Sequence, residues 1–269
     1  MKYKIFLSDF DGTLVRADGT ISEANKRAIA AYRAAGGVFA VCTGRMLTSI
    51  LPRLKELGIE EGLVVAYQGA TIADVKTGAL LKDDGFSGED ALRILDLLED
   101  AGHHVHAYTV DNVYCNRDDE ALRAYERVCG VRAKIVSGER LSQFVRKNGL
   151  RVVKILAMVE AESRRFLMEQ LKAALGGAFY VTTSSDCLVE VMPVGQSKAA
   201  AVDFLSAYYR VPREEIAAIG DQLNDLPMVS RAGGKFAVAN AEAELKEIAC
   251  VVASVEEDGV AEALKIAMR

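Results

Sequence analysis

Short apolar segments that alternate with helical segments at both ends of the chain are the feature that most constrains its fold. Residues 3–8 (YKIFLS) form an apolar run, residues 22–37 form a helical stretch that ends in two glycines, and the apolar run GVFAVC follows. A helical segment near residues 47–57 and the run LVVAY continue the series. Such alternation is typical of a parallel sheet covered by helices on both faces. The sequence therefore predicts an α/β fold with a doubly wound parallel sheet.

A different pattern interrupts this alternation after about Lys82. Ser87-Gly88-Glu89-Asp90 resembles a capping box that opens a helix, and the runs HHVHAYT and VYCN are joined at Asp111-Asn112 in a predicted hairpin. The α/β alternation resumes with a helix from Ser197 and the strand IAAIG. We therefore predict a core built from residues 1–82 and 189–269, with an inserted α+β unit at residues 83–188.

Charge and cysteine content exclude several classes of protein. The net charge is −5 and the basic residues are spread along the chain, so we expect no nucleic-acid or anionic-membrane partner. No apolar run approaches the about 20 residues that span a bilayer, and no signal peptide is recognisable at the amino terminus. The five cysteines are odd in number and contain no C-x-x-C pair, which favours reduced thiols. We expect a soluble, cytoplasmic protein.

The segment Asp9-Phe10-Asp11-Gly12-Thr13 follows the first apolar run directly. In an open α/β sheet, ligands bind at the carboxyl ends of the strands, where these acids are predicted to lie. One carboxylate can attack phosphorus, and a second can protonate the leaving oxygen and later deprotonate water. D-x-D alone occurs often by chance, but D-x-D-G-T after an apolar strand is much more specific.

Thr43-Gly44-Arg45 and Lys198 are also predicted to lie at this edge. A hydroxyl and backbone N–H groups at a helix start suit a phosphate oxygen, although Thr43 alone would be interpreted as a helix cap. Lys198 lies in the first turn of a predicted helix, where the helix dipole favours acids. A bound anion would explain this lysine, whereas a single lysine is otherwise usually a surface residue.

Gly220-Asp221-Gln222-Leu223-Asn224-Asp225 follows the strand IAAIG. Two carboxylates and an amide are hard oxygen ligands of the kind that Mg²⁺ prefers beside a phosphate. Asp and Asn also cap helices, but a cap does not need three such residues.

These clusters, in the order D-x-D-G-T, T-G-R, Lys and G-D-x-x-N-D, resemble the haloacid dehalogenase (HAD) superfamily of phosphotransferases. The segments VAYQGATI, GDQLNDLPM and EEDGVAEAL are similar to its Cof-type sugar-phosphatase branch, in which an inserted α+β (C2-type) cap selects the substrate. Two positions depart from that branch. Gln68 stands where the family often has Asn, and the segment FAVANA ends one residue short of the usual Gly-Asn-Ala.

The resemblance implies a Mg²⁺-dependent hydrolase of small phosphorylated metabolites, with sugar phosphates as the expected class. It implies that Asp9 is the nucleophile and a metal ligand, and that Asp11 is the general acid/base and gives its backbone carbonyl to the metal. Asp221 would be the third metal ligand, supported by Asp225. The residues implied to bind phosphate are Thr43, Gly44, Lys198 and Asn224, with Arg45 contacting the substrate.

Two other functions use similar residues. A phosphomutase of the same superfamily would move the phosphoryl group between sugar positions instead of releasing it. A phospho-accepting signalling domain also places acids, a hydroxyl and a lysine around Mg²⁺, but it lacks the second acid of D-x-D and is far shorter.

P-type ion pumps share the first motif but need membrane helices. P-loop and dinucleotide-binding glycine motifs do not occur.

Three histidines and one cysteine could in principle bind a metal or act as a reactive thiol. His103, His104 and His106 lie on a predicted strand of the insertion, and the last two share a face. Isolated histidines usually have structural or solvent-contact roles, so we expect no metal there. Cys42 precedes Thr43 at a strand end, where burial favours an inert thiol.

Overall fold

The computed structural model describes residues 1–269 and contains three β-sheets packed with helices. The strands are β1 (Ile5–Ser8), β2 (Val38–Val41), β3 (Leu63–Ala66), β4 (Thr71–Asp74), β5 (Leu80–Asp83), β6 (His104–Tyr108), β7 (Val113–Cys115), β8 (Ala133–Ile135), β9 (Lys154–Met158), β10 (Phe179–Ser185), β11 (Leu188–Pro193), β12 (Ile216–Gly220), β13 (Gly234–Val238) and β14 (Cys250–Val252). The α-helices are α1 (Glu23–Ala34), α2 (Leu47–Glu56), α3 (Gly88–Asp100), α4 (Glu120–Cys129), α5 (Leu141–Lys147), α6 (Arg164–Leu175), α7 (Lys198–Tyr209), α8 (Leu226–Arg231), α9 (Ala243–Lys246) and α10 (Gly259–Met268).

A five-stranded parallel sheet has the order β14-β13-β12-β1-β2. Strands β1 and β12 are neighbours near its centre and are fully buried. Burial on both faces explains why these strands appear in the sequence as uninterrupted apolar runs. The predicted α/β fold with a parallel sheet is confirmed.

Strand β3 is an exception to the sequence prediction, which assigned LVVAY to the parallel sheet. It belongs instead to a three-stranded sheet of order β3-β4-β5, in which β3 and β4 are antiparallel. A single parallel bridge, between Cys42 and Val65, connects it to the end of β2. The reason is the turn at Tyr67–Gly69, which sends the chain straight back as β4 instead of into a helix.

The chain forms two compact units, one made of residues 1–44, 50–82 and 197–269, and one made of residues 45–49 and 83–196. The boundary expected between residues 188 and 189 falls inside β11. This strand pairs with β9 and β10 and so stays with the second unit. None of the helices is long and apolar enough to cross a membrane.

The second unit contains a six-stranded sheet of order β10-β11-β9-β6-β7-β8. The predicted hairpin at Asp111-Asn112 joins antiparallel strands β6 and β7. One sheet face carries Val105, Ala107 and Ile155 into an apolar core that also contains side chains of α3, α5 and α6. Because side chains alternate along a strand, His104, His106 and Tyr108 of β6 lie on the opposite face.

Candidate active site

Asp9 stands directly after β1 in the first unit, where its backbone N–H still donates to the carbonyl of Ile219 (3.0 Å). Asp9 is buried, with 6% of the residue exposed. The Lys198 ammonium, on the first residue of α7, donates to the Asp9 carboxylate and to Asp225 Oδ1 (2.6 Å for the latter). The lysine that is unusual for a helix start therefore forms ion pairs with two buried acids.

Asp225 holds the loop that follows β12. Its Oδ2 accepts hydrogen bonds from the backbone N–H groups of Asp221 (2.9 Å) and Gln222 (3.0 Å). A Cβ at Gly220 would lie 2.4 Å from the Asp225 side chain, so only glycine fits there. Asp225 therefore positions both this loop and Lys198.

Asp221 connects the loops after β1 and β12. The Thr13 hydroxyl donates to Asp221 Oδ1 (2.7 Å). Gly12 has φ +79°, and a Cβ there would lie 2.5 Å from Asp221 Oδ2. The glycine and threonine of D-x-D-G-T therefore allow the first loop to approach this carboxylate closely.

The carboxylates of Asp9, Asp221 and Asp225 form one buried cluster, with oxygen atoms within 4.8 Å of one another. Burial, with the charge of Asp225 added, raises the pKa of Asp9 well above its usual value and that of Asp221 to about 7. Burial alone would lower the pKa of Lys198, but the Asp225 and Asp9 carboxylates outweigh it and raise that pKa. When all four groups are ionised, three negative charges face one positive charge.

A divalent cation fits this cluster in charge and in donor type. Hard cations such as Mg²⁺ take oxygen ligands, and a double positive charge would balance the remaining two negative charges. The buried Asn224 Oδ1 has no hydrogen-bond partner in the structure. This oxygen can therefore accept a contact from a bound group.

Thr43 lies buried at the end of β2 and is held by backbone contacts. Its N–H donates to the Val65 carbonyl (2.9 Å), and its own carbonyl accepts from the Gln68 N–H (3.0 Å). The Gln68 side-chain carbonyl accepts from the Asn224 amide (3.0 Å). Gln68, which the sequence identified only as a departure from the family, therefore links two of the predicted phosphate-binding residues.

The turn that carries Gln68 also fixes the start of α7. Tyr67 and Gln68 have φ of 49° and 57°, which is unusual for residues other than glycine. At Gly69 (φ +99°), a Cβ would lie 2.5 Å from the Ser197 carbonyl oxygen. This close approach sets the position of Lys198 relative to the turn.

Asn240 is a positioning residue that the sequence reasoning missed. Its side-chain amide donates to the Gly12 carbonyl (2.8 Å), and its side-chain oxygen accepts from the Val255 N–H (2.9 Å). Asn240 therefore holds the loop after β1 in place through the Gly12 carbonyl. The available signal was the Asn of FAVANA, which the sequence reasoning identified only as a deviation.

Asp11 and Arg45 stand apart from the buried cluster. The Asp11 side chain is exposed although Asp9, two residues earlier, is buried. Arg45 belongs to the second unit, where its guanidinium donates to the Val128 carbonyl (2.9 Å). Gly44 follows Thr43 and is partly buried.

The parallel sheet, the acid cluster after β1 and β12 and the buried lysine define a class of hydrolases. A family model for haloacid dehalogenase-like hydrolases matches residues 6–264. The chain therefore belongs to this family, in the Cof-type branch that the motifs indicated, and the predictions of its family and enzyme class are confirmed.

Three relatives illustrate the similarity. The HMP-PP phosphatase of Cronobacter sakazakii is 28% identical over 238 residues, which cover 88% of this chain and 84% of that protein. The 5-amino-6-(5-phospho-D-ribitylamino)uracil phosphatase YwtE of Bacillus subtilis is 29% identical over 282 residues and 96% of each chain. The crystal structure of TM0651 from Thermotoga maritima superposes with a TM-score of 0.80 at 28% identity, covering 98% of this chain and 97% of that one.

Proposed function

We propose that the protein is a Mg²⁺-dependent phosphatase of small phosphorylated metabolites, with sugar phosphates as the expected class, and that it acts through an aspartyl phosphate on Asp9. The observation that carries the proposal is the buried cluster in which Lys198 bridges Asp9 and Asp225 beside Asp221. The names of the relatives, which are phosphatases of phosphorylated metabolites, support it. The free thiols of all five cysteines are consistent with a cytoplasmic location.

In the first step, an Asp9 carboxylate oxygen attacks phosphorus while the bond to the leaving oxygen breaks. Asp11 donates the proton that the leaving oxygen needs. Lys198 lowers the repulsion between the carboxylate and the anionic substrate because its ammonium already contacts Asp9. Thr43, Gly44 and Asn224 bind the phosphoryl oxygens.

In the second step, Asp11 removes a proton from water, which attacks the phosphorus of the aspartyl phosphate. The bond to Asp9 breaks, inorganic phosphate leaves and the Asp9 carboxylate is restored. Mg²⁺, held by Asp9, Asp221 and the Asp11 carbonyl, would supply charge for the phosphoryl oxygens throughout. Asp225 keeps Asp221 and Lys198 in place.

Phosphate release from a panel of phosphorylated metabolites tests the proposal. We expect EDTA to abolish release, Mg²⁺ to restore it, and Asp9→Asn to reduce it to background with an unchanged circular dichroism spectrum. Asp18→Asn, a change of an exposed acid in the same loop region, is the control and should keep full activity. An Asp9→Asn protein with a tenth of wild-type turnover would contradict the covalent mechanism.

The same panel distinguishes the phosphomutase alternative. A mutase would convert one sugar phosphate into its positional isomer and release little free phosphate. Analysis of the sugar products beside the phosphate assay therefore decides between the two reactions.

A further inference from the structure

In the second unit, two imidazole nitrogen atoms and one thiol sulfur atom lie close together, and none of them belongs to the carboxylate cluster described above. His104 Nε2 lies 3.2 Å from His106 Nε2 and 3.0 Å from Cys115 Sγ. All three residues are buried, with 5%, 0% and 0% of each residue exposed. Buried imidazole and thiol groups that converge on one another need a chemical explanation.

The sheet geometry produces this arrangement. His104 and His106 are two residues apart on β6 and so share a face. Cys115 is the direct partner of His106 on the antiparallel neighbour β7. All three ligand atoms are therefore held by regular strands and lie within 4.8 Å of one another.

The contacts on the far side of each ring indicate which nitrogen atoms can carry a hydrogen. His104 Nδ1 faces the Asp119 carboxylate (3.1 Å), which can only accept, so this nitrogen carries the hydrogen. His106 Nδ1 lies 3.2 Å from the Tyr108 hydroxyl, which also contacts the Tyr125 hydroxyl (2.6 Å). When His106 Nδ1 donates to this hydroxyl, Nε2 of the same ring carries the lone pair.

A neutral imidazole has one N–H, so in this tautomer both Nε2 atoms carry lone pairs and face each other. The Cys115 thiol donates to the Arg117 carbonyl (3.1 Å), so its hydrogen points away from His104. In this arrangement three lone-pair atoms converge in one buried place, where they can share one cation.

We propose that His104, His106 and Cys115 bind a Zn²⁺ ion that ties β6 to β7 in the second unit. Tetrahedral zinc with ordinary bond lengths separates two nitrogens by about 3.3 Å and a nitrogen from a sulfur by about 3.6 Å. The observed distances of 3.2 and 3.0 Å lie within roughly 0.6 Å of these values. Two imidazoles and a thiolate suit zinc and not Mg²⁺, which takes oxygen ligands.

The surroundings of His104 support the proposal. A metal-bound histidine typically donates its other N–H to a carboxylate, which orients the ring. Asp119 takes this place, and the same residue caps α4 by accepting from the Leu122 N–H (2.9 Å). The fourth zinc position remains for water.

Cobalt binding to the full-length protein tests the site. Chelator-treated protein, kept reduced with a phosphine, is titrated with Co²⁺ and the near-ultraviolet thiolate-to-cobalt absorption is recorded. We expect one Co²⁺ per chain to produce this band and one equivalent of Zn²⁺ to remove it. Wild-type protein that gives no band overturns the proposal, whatever its phosphatase activity, because the carboxylate cluster contains no sulfur.

Variants identify the ligands. Cys115→Ser should lose the band, and His106→Gln should weaken Co²⁺ binding by at least 10-fold. Cys187→Ser and His103→Gln are matched controls that change an exposed cysteine and the neighbouring histidine, and both should keep the band. Zn²⁺ should raise the Tm of the wild type and the controls more than that of Cys115→Ser. A band that persists in folded Cys115→Ser overturns the assignment.

Discussion

The ammonium of Lys198 forms ion pairs with the Asp9 and Asp225 carboxylates of the buried cluster. The Lys198 side chain is 0% exposed. Lys198→Met would leave the Asp9 and Asp225 carboxylates without their ion pair. Removing one partner of a buried pair typically costs about 3–5 kcal/mol. We expect the free energy of unfolding in urea to fall by this order and phosphate release to be lost.

Added Mg²⁺ gives that prediction a second measurement. It should raise the Tm of Lys198→Met more than that of the wild type, because the variant has more uncompensated negative charge. Lys26→Met, which removes an exposed ion pair with Glu23, is the control and should change stability little. Equal Mg²⁺ effects on the wild type and Lys198→Met would show that the lysine does not balance this cluster.

Asp11 allows the proton transfer to be tested separately from the nucleophile. Asp11→Asn keeps the backbone carbonyl and removes the proton chemistry, which is typically worth about 10²–10⁴ in rate. We expect a large loss of phosphoryl transfer from sugar phosphates and a smaller loss from p-nitrophenyl phosphate, whose leaving group needs no proton. Asp18→Asn should slow neither substrate.

Rapid quench adds a kinetic signature. Since Asp11 is also the base for water attack, the variant should show a burst of nitrophenol followed by slow turnover. Equal slowing of the burst phase for good and poor leaving groups would argue that another residue is the general acid.

At the scale of elements, the turn before β4 controls where α7 begins. Gly69 and Gly78 both have positive φ, of 99° and 71°, but only Gly69 lies against another backbone segment. Alanine at a left-handed position costs about 1–2 kcal/mol, and overpacking adds about 1–3 kcal/mol. We expect Gly69→Ala to destabilise more than Gly78→Ala and also to lower kcat, because Lys198 would shift.

Urea unfolding and steady-state kinetics of the two variants measure both effects. Gly78→Ala has open space around its new methyl group and should keep wild-type kcat. If both variants kept full kcat, the turn would not position the helix that carries Lys198.

The same elements show what sequence could and could not predict. Strands β1 and β12 and their acidic loops were predictable because each motif is contiguous and follows an uninterrupted apolar run. The reversal of the chain from β3 into antiparallel β4 was not predictable. It depends on Tyr67 and Gln68, which have positive φ here although residues of these types rarely do. The end of the insertion was placed too early because β11 pairs with strands inside it.

Side-chain partners from distant segments were the hardest to predict. The contact from Asn240 to Gly12 joins residues far apart in sequence, and a motif carries no information about it. The histidines of β6 were interpreted as isolated because Cys115 and Asp119 approach them only after the sheet and α4 form. Thr13 was part of a recognised motif, yet its bond to Asp221 needed the structure.

For the whole molecule, we propose that the second unit selects the substrate while the first unit performs the chemistry. Replacing residues 83–196 by a short linker should leave a foldable first unit, because all five parallel strands lie outside that segment. We expect this protein to keep activity on p-nitrophenyl phosphate and to lose discrimination among metabolites.

Circular dichroism and the metabolite panel provide the measurements for this excision. A linker variant that fails to fold would mean that the first unit depends on the second for stability. Unchanged selectivity would show that the second unit does not choose the substrate.

The pairing of β1 with β12 has a consequence for the order in which the two units can fold during translation. Ile5 pairs with Val38 of β2 on one side and with Ile216 of β12 on the other, so the nascent strand β1 lacks its central partner until β12 (Ile216–Gly220) has been translated. The second unit ends at residue 196 and can complete its own sheet earlier. During synthesis the inserted unit can therefore fold first, while the unit that carries Asp9 waits for its missing strands.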